Sequence, residues 1–215
     1  VLLVDVDPQA NLTSSFTDES KIEASIYDAM KGAPAPIMNI SENLDLIPSH
    51  IDLAGADMVF SNKIAREQIL KNILDELKAG YDYIIIDTPP ALGLVTINAL
   101  TAADSVIISI CAETLPLRGL VMLDEMIGDI AQSINKGLHV SGIIIAKYNR
   151  RKLDNAVIEA IREKYGDKIY KTYVRTCVSA AEAPTYRQSV LDYAPGSTVA
   201  EDYRALAKEI DNQTI

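Results

Sequence analysis

The sequence predicts an α/β fold: a mostly parallel sheet with helices on both faces. Three observations carry that expectation. Strand-length runs at residues 1–6 and 83–86 are apolar nearly throughout instead of alternating with polar residues, the mark of strands buried on both sides. Stretches of helical period alternate with these runs along the chain. Acids stand where the runs end, at Asp5, Asp7 and Asp87, and open parallel sheets bind their ligands at the carboxyl ends of the strands.

Taken in order, residues 1–6 give a first strand and 44–47 a short second one. Over 65–77, Ile69, Leu70, Ile73, Leu74 and Leu77 recur at helical spacing, and Gly80 follows as the expected C-cap. Residues 83–86 form a strand ending in Asp87, and 95–100 open a helix. Residues 105–111 form a strand, 117–134 a long helix and 140–146 a further strand. Residues 155–165 read as helix, 168–174 as extended chain and 199–210 as the closing helix. The Gly-Ala-Pro-Ala-Pro stretch at 32–36 is a surface loop. No repeat, low-complexity tract or linker interrupts the pattern. The expectation is therefore one domain over 1–215, large enough to bury a core without disulfides or metals.

Composition narrows the function classes. With 48% hydrophobic and 23% charged residues the chain is neither disordered nor collagenous nor a coiled coil. No apolar run approaches the roughly 18 residues of a membrane span. The start Val-Leu-Leu-Val has no basic n-region and no cleavage site, so it is not read as a signal peptide; it reads as the middle of a domain. The net charge is −10, against a surface that is a polyanion binder throughout. Residues 141–190, however, hold ten Lys/Arg against five acids, so that segment is +5 and the remainder −15. A local positive field of this kind attracts phosphates at short range, although a solvated helix face has the same composition. Cys111 and Cys177 lack metal or redox spacing and read as reduced thiols. His50 and His139 are isolated and read as structural or surface residues. With no Trp and two Phe, an aromatic platform for bases is not expected.

Two constellations carry chemistry. In Leu3-Val4-Asp5-Val6-Asp7-Pro8-Gln9 the carboxylates at i and i+2 of an extended chain point the same way. At the open end of a parallel sheet such a pair suits Mg²⁺ binding through water and orientation of an attacking water; a merely polar strand terminus has the same spacing. In Tyr83-Ile84-Ile85-Ile86-Asp87-Thr88-Pro89-Pro90, an apolar strand ends in an acid, the Walker B pattern, in which the acid holds Mg²⁺ beside a nucleotide. The Thr-Pro-Pro tail fixes a stiff turn next to it.

Together these motifs resemble the ParA/Soj partition ATPases of the deviant Walker A class, within the P-loop NTPases. The resemblance spans nearly the whole chain. It includes Asp-Pro-Gln-Ala-Asn at 7–11, Ile-Pro-Ser-His-Ile-Asp-Leu-Ala at 47–54, and Asp-Thr-Pro-Pro at 87–90 followed by Thr-Ile-Asn-Ala-Leu at 96–100. Glu-Ala-Pro at 182–184 and Ala-Glu-Asp-Tyr at 200–203 complete it. Several motifs in one order make the match specific.

The resemblance implies a role for each matched residue. Asp7 would position the hydrolytic water, Asp5 would hold the Mg²⁺ hydration shell, and Asp87 would be the Walker B acid. Thr88 and Pro89 would begin the switch that senses the γ-phosphate. Pro195, in Tyr-Ala-Pro-Gly-Ser at 193–197, and Asn149 would lie near the adenine. The cofactors implied are ATP and Mg²⁺. The family dimerises on ATP and then binds DNA non-specifically through phosphate contacts, for which the candidates are Lys147, Arg150, Arg151, Lys152, Arg175, Arg204 and Lys208. Two family arginines before the Glu-Ala-Pro fall here on Thr176 and Ser179, and Arg175 would take their place. The implied partner is a ParB-like, centromere-bound protein with a basic N-terminal peptide, to which the acidic surface outside 141–190 is suited. The implied location is the cytoplasm, on the nucleoid.

The family's phosphate loop, Lys-Gly-Gly-x-Gly-Lys-[Ser/Thr], has no counterpart, since none of the ten glycines is followed by Lys. The resemblance thus implies a domain truncated at its N-terminus, missing the loop with its flanking strand and helix. Three other readings stay open: a catalytically inactive module that binds DNA or the partner, a MinD-like membrane-associated ATPase, and an ATP-dependent ligase of the biotin or cobyrinate type. The second needs a basic amphipathic C-terminal helix, and this chain ends in Ala-Lys-Glu-Ile-Asp-Asn-Gln-Thr-Ile.

Overall fold

The computed structural model of the protein describes residues 1–111 and 117–214. They fall into two units, Val1–Asp104 with Ile127–Leu138 and Ser105–Met126 with His139–Ile215.

The first unit runs β1 (Leu2–Asp5), α1 (Asn11–Ser14), α2 (Ile26–Lys31), β2 (Met38–Ser41), β3 (Leu44–Ile47), α3 (Ala56–Val59), α4 (Ile69–Leu77), β4 (Ile84–Asp87) and α5 (Leu94–Ala102). Its sheet has the order β2-β3-β1-β4. The aliphatic β1 lies inside, parallel to β3 on one side and to β4 on the other. Leu2, Val4 and Val6 are fully buried against Ile47, Met30, Leu70 and Leu74. The β1–β4 register sets Val4 opposite Ile86 and Asp5 opposite Asp87, so the two acids end neighbouring strands at the same level.

The sequence did not announce β2 or α2. β2 lies antiparallel on β3 across the connection Glu42-Asn43, too short for any parallel crossover. α2 is a short helix whose Ser25 amide donates to Asp28 and which stops at Gly32, where φ is +114°. Gly80 does not cap α4 as expected. The helix ends at Lys78 and tightens into a 3₁₀ turn over Lys78–Gly80, and the left-handed glycines among the described residues are Gly32 and Gly166. α5 is buried on nearly all sides. Its Asn98 side chain accepts from the Leu70 amide and donates to the carbonyls of Arg66 and Leu94, which locks α4 to α5.

The second unit contains β5 (Val106–Cys111) parallel to β6 (Val140–Ala146), followed by α7 (Lys152–Tyr165), α8 (Val178–Glu182), α9 (Val190–Tyr193) and α10 (Thr198–Thr214). Between the two strands the chain forms α6 (Leu117–Ser133). Lys168 ends a 3₁₀ turn over Gly166–Lys168, and the extended chain expected from there begins at Ile169; it touches β6 through an isolated bridge at Ile143 and two backbone hydrogen bonds, from Tyr170 and Val174. Gly142 is what admits this segment, because a Cβ there would stand 2.3 Å from the Tyr170 ring. Cys111 and Cys177 are free thiols. Among the described residues no helix is long and apolar enough to cross a membrane.

Candidate functional site

β1 delivers Asp5 to the carboxyl end of the sheet with no solvent exposure. Its Oδ1 accepts from the Asp7 amide at 3.0 Å, and its Oδ2 accepts from the Thr13 amide at 2.8 Å and the Thr13 hydroxyl at 2.7 Å. Burial raises its pKa against these stabilising bonds. Asp5, buried and with both oxygens engaged, therefore serves as the post on which the following loop is hung.

The loop that it holds presents Asp7. The Gln9 amide donates to Asp7 Oδ1 at 2.9 Å and the Ala10 amide to its carbonyl. Ala10 pays for this tight path with a left-handed φ of +51°. Thr13, which the sequence reading passed over, joins three segments: it donates its hydroxyl to Asp5 and accepts from the Ser49 amide at 2.9 Å. The motif read at 7–11 stopped two residues short of it.

Asp87 is exposed as the last residue of β4, followed by exposed Thr88 and half-buried Pro89. The Val6 amide donates to the Asp87 carbonyl at 2.9 Å, which carries the β1–β4 ladder up to the acids. Its carboxyl is raised above the ordinary range, first by desolvation and then by the negative charges of Asp5 and Asp7. This is uncompensated negative charge at one sheet edge, and a cation would relieve it. Among the described residues no group of three or more His, Cys, Asp or Glu side chains gathers closely enough to hold an ion. That set fits Mg²⁺, which takes one or two carboxylates and fills its shell with water and phosphate oxygens, better than an ion needing an all-protein cage. Asp7 and Asp87 are the groups that would hold it.

In the second unit, hydrogen bonds tie the segment paired with Asn149's neighbour Tyr148 and the Pro195 loop each to α10. Tyr148 bridges to Arg175, whose guanidinium grips Asp202 at 2.7 and 2.8 Å and reaches the Thr198 carbonyl at the start of α10. Arg204 donates to the Pro195 carbonyl at 2.7 Å. Asn149 and Arg151 give their amides to Asp154, which is fully buried.

These contacts divide the basic candidates. Arg175 is paired with Asp202, a largely buried partner, a tie the other basic candidates do not show. Arg204 serves as the tether of the Pro195 loop. Lys147, Arg150, Arg151, Lys152 and Lys208 are exposed, with Lys147 and Arg150 in left-handed backbone just before α7.

Known proteins resemble this arrangement. A family model described as an AAA domain matches residues 1–140. The sporulation initiation inhibitor protein Soj of Bacillus subtilis is 41% identical, across 98% of this chain and 85% of its own. A crystal structure of cobyrinic acid a,c-diamide synthase from Mycobacterium smegmatis, with bound ADP and magnesium, superposes with a TM-score of 0.77 at 34% identity, over 86% of this chain and 78% of that one. An ATP complex of a variant Cyanothece McdA reaches a TM-score of 0.85 over 98% of this chain and 84% of that one; at 22% identity the likeness is one of fold alone.

Proposed function

The chain belongs to the ParA/Soj-type ATPase family, and from that membership we propose that the protein is a partition ATPase that dimerises on ATP, binds DNA non-specifically and is released when a ParB-like partner stimulates hydrolysis. The observation that carries the proposal is the pairing of Asp5 with Asp87 across β1 and β4, which sets three carboxylates beside the Thr88-Pro89 turn.

Each residue has a defined task in this reading. Asp5 and Thr13 fix the loop, and the fixed loop aims Asp7. One Asp7 oxygen is held by the Gln9 amide, and the other is left to accept a hydrogen bond from a water and orient it. Asp87 supplies charge at the strand end, and Thr88 and Pro89 link that charge to α5. Bound Mg²⁺ would supply neutralisation of phosphate charge. Asn149 and the Pro195 loop would flank the base, with Arg204 holding the loop in place. Lys147, Arg150, Arg151, Lys152 and Lys208 would meet DNA phosphates, which needs no base readout and would place the protein on the nucleoid in the cytoplasm.

The test is binding of the protein to random-sequence duplex as salt is varied, with and without ATP. The proposal expects ATP-dependent binding with a steep negative salt slope that falls by about one unit when Lys152 is replaced by Ala. A flat slope overturns the DNA role. The named activity of the Mycobacterium smegmatis structure motivates a second reading, an ATP-dependent ligase. Nucleotide turnover that requires a small carboxylate acceptor and ignores DNA would favour it.

A further inference from the structure

We propose that Asp154 is the positioning residue for the DNA contact: it fixes the loop that carries Lys147, Arg150, Arg151 and Lys152 in one conformation before any phosphate arrives. The loop joins β6 to α7 and places four exposed cations within six residues. Local preference alone would not give it this shape. Lys147 and Arg150 sit at φ of +53° and +60°, a left-handed region that residues with a Cβ seldom occupy. Arg150, Arg151 and Lys152 also crowd the start of α7, where the helix dipole is positive and repels cations.

Asp154 supplies what the loop lacks. Its Oδ2 accepts from the Asn149 amide at 2.7 Å and from the Arg151 amide at 3.1 Å, so one oxygen clasps the backbone on both sides of left-handed Arg150. The other end of the loop is tied to the chain before α8. The Tyr148 amide donates to the Val174 carbonyl at 3.0 Å, and the Thr176 amide to the Tyr148 carbonyl at 3.3 Å. The Tyr148 hydroxyl donates to Asn155 Oδ1 at 3.1 Å, which closes the loop onto the first turn of α7.

Helix capping does not account for this residue. An acid at the third position of a helix caps it by reaching back to the amide three residues earlier, here that of Arg151. Asp154 makes its shorter bond beyond that point, to Asn149, and it has no solvent exposure. Its Oδ1 has no hydrogen-bond partner among the described residues, a cost that an acid capping from the surface avoids by staying in water. Left-handed backbone, cations at a helix start and an orphaned buried oxygen are three local penalties on one short loop. Such penalties persist where the geometry they produce is used, and what this geometry presents is four cations. Holding their backbone in place beforehand spares the ordering cost that binding would otherwise carry. The inference rests on the reading of this loop as a DNA contact.

The experiment measures binding of the full chain to a fluorescein-labelled random-sequence duplex with ATP, by anisotropy over a salt series, for the parent, Asp154→Asn and Asp154→Ala. Both replacements remove an acid beside the cations, so by charge alone both would bind the polyanion more tightly. The proposal expects them to part. Asparagine keeps an oxygen that accepts from both amides, and Asp154→Asn is expected to bind at least as tightly as the parent. Alanine releases the loop, and Asp154→Ala is expected to bind about tenfold more weakly, with a salt slope smaller by about one unit. Affinity of Asp154→Ala at or above that of the parent overturns the proposal, as does equal weakening of the two variants. Hydrogen exchange on the parent needs no variant to fold. The Asn149 and Arg151 amides are expected to be protected in the free protein and unchanged when duplex is added. Fast exchange there that slows only with duplex means that DNA orders the loop, and overturns the preset geometry. A parent that does not bind duplex removes the DNA reading and the proposal together; a parent that binds, with Asp154→Ala unaffected, removes the proposal alone.

Discussion

Thr13 and Asp5, eight residues apart, are joined twice: the Thr13 amide and hydroxyl both donate to Asp5 Oδ2, at 2.8 and 2.7 Å. The same hydroxyl accepts from the Ser49 amide, so one side chain closes a buried network over three segments. Thr13→Val keeps the shape and removes the hydroxyl, leaving a buried carboxylate oxygen short of a donor and a buried amide without an acceptor. The expected loss is about 1–3 kcal/mol of stability by urea titration, with Thr13→Ser close to the parent. A loss of the same size in both variants would place the contribution in packing.

The acids at the sheet edge set a pH dependence. Asp5 is raised above the ordinary value by burial, and Asp87 by desolvation together with the charges of Asp5 and Asp7, so the fold prefers their neutral forms. Their contribution to stability is fully present below the unfolded value of about 4 and is lost as pH rises through the raised folded values. Near neutral pH, Asp87→Asn is therefore expected to raise the melting temperature of the ligand-free protein, while it removes any increase that MgCl₂ with nucleotide confers. Thermal melts across pH check both signs. A lower melting temperature in Asp87→Asn would mean that the charge is satisfied within the fold.

Arg175 and Asp202 behave in the opposite sense. Burial works against the Asp202 charge, but hydrogen bonds from Arg175 hold its carboxyl below the usual range. The stability it adds is present above about pH 4 and is lost as pH falls through the depressed value. Arg175→Ala leaves Asp202 unpaired and is expected to cost about 2–3 kcal/mol at neutral pH, with a smaller cost in acid. If Arg175 instead met DNA, the variant would lower the salt slope of duplex binding as Lys152→Ala is expected to, with little change in the urea midpoint.

Gly142 faces the Tyr170 ring so closely that a methyl group has no room. Gly142→Ala forces the 168–174 segment away from β6, at an expected cost of about 1–3 kcal/mol. The paired variant Gly142→Ala with Tyr170→Ala is expected to recover less than the whole, because the ring is itself buried. Denaturant titration of the three variants measures the coupling.

The aliphatic runs were legible as strands, although the expected burial of both faces holds for β1 and fails for β4 and β5, where Ile85 and Ile107 are exposed. β1, β3, β4, β5 and β6 all lie within a residue or two of where those runs place them. β2 was not legible. Met-Asn-Ile-Ser alternates weakly, at the edge of its sheet, and its pairing depends on β3 being beside it. Gly80 looked like a cap by position, but a cap is a backbone conformation, and the chain reached the same end by tightening its last turn. The ion pair of Arg175 was not legible either, because composition counts charges without their partners and Asp202 lies 27 residues away.

By itself the sequence determined the fold class and the clustering of acids at the strand ends, since each follows from local pattern and spacing, and its motifs carried the resemblance to the family. The tertiary structure alone decided which carboxylate faces outward and which is consumed. Asp5 and Asp7 are two residues apart on one strand end, and the strand period gives them the same direction. Thr13 and Ser49, brought in from distant segments, close over Asp5 and leave Asp7 to the solvent. The sequence-wide charge of −10 likewise became informative once the fold had sorted it, with the acids in excess on one unit and balanced by bases on the other.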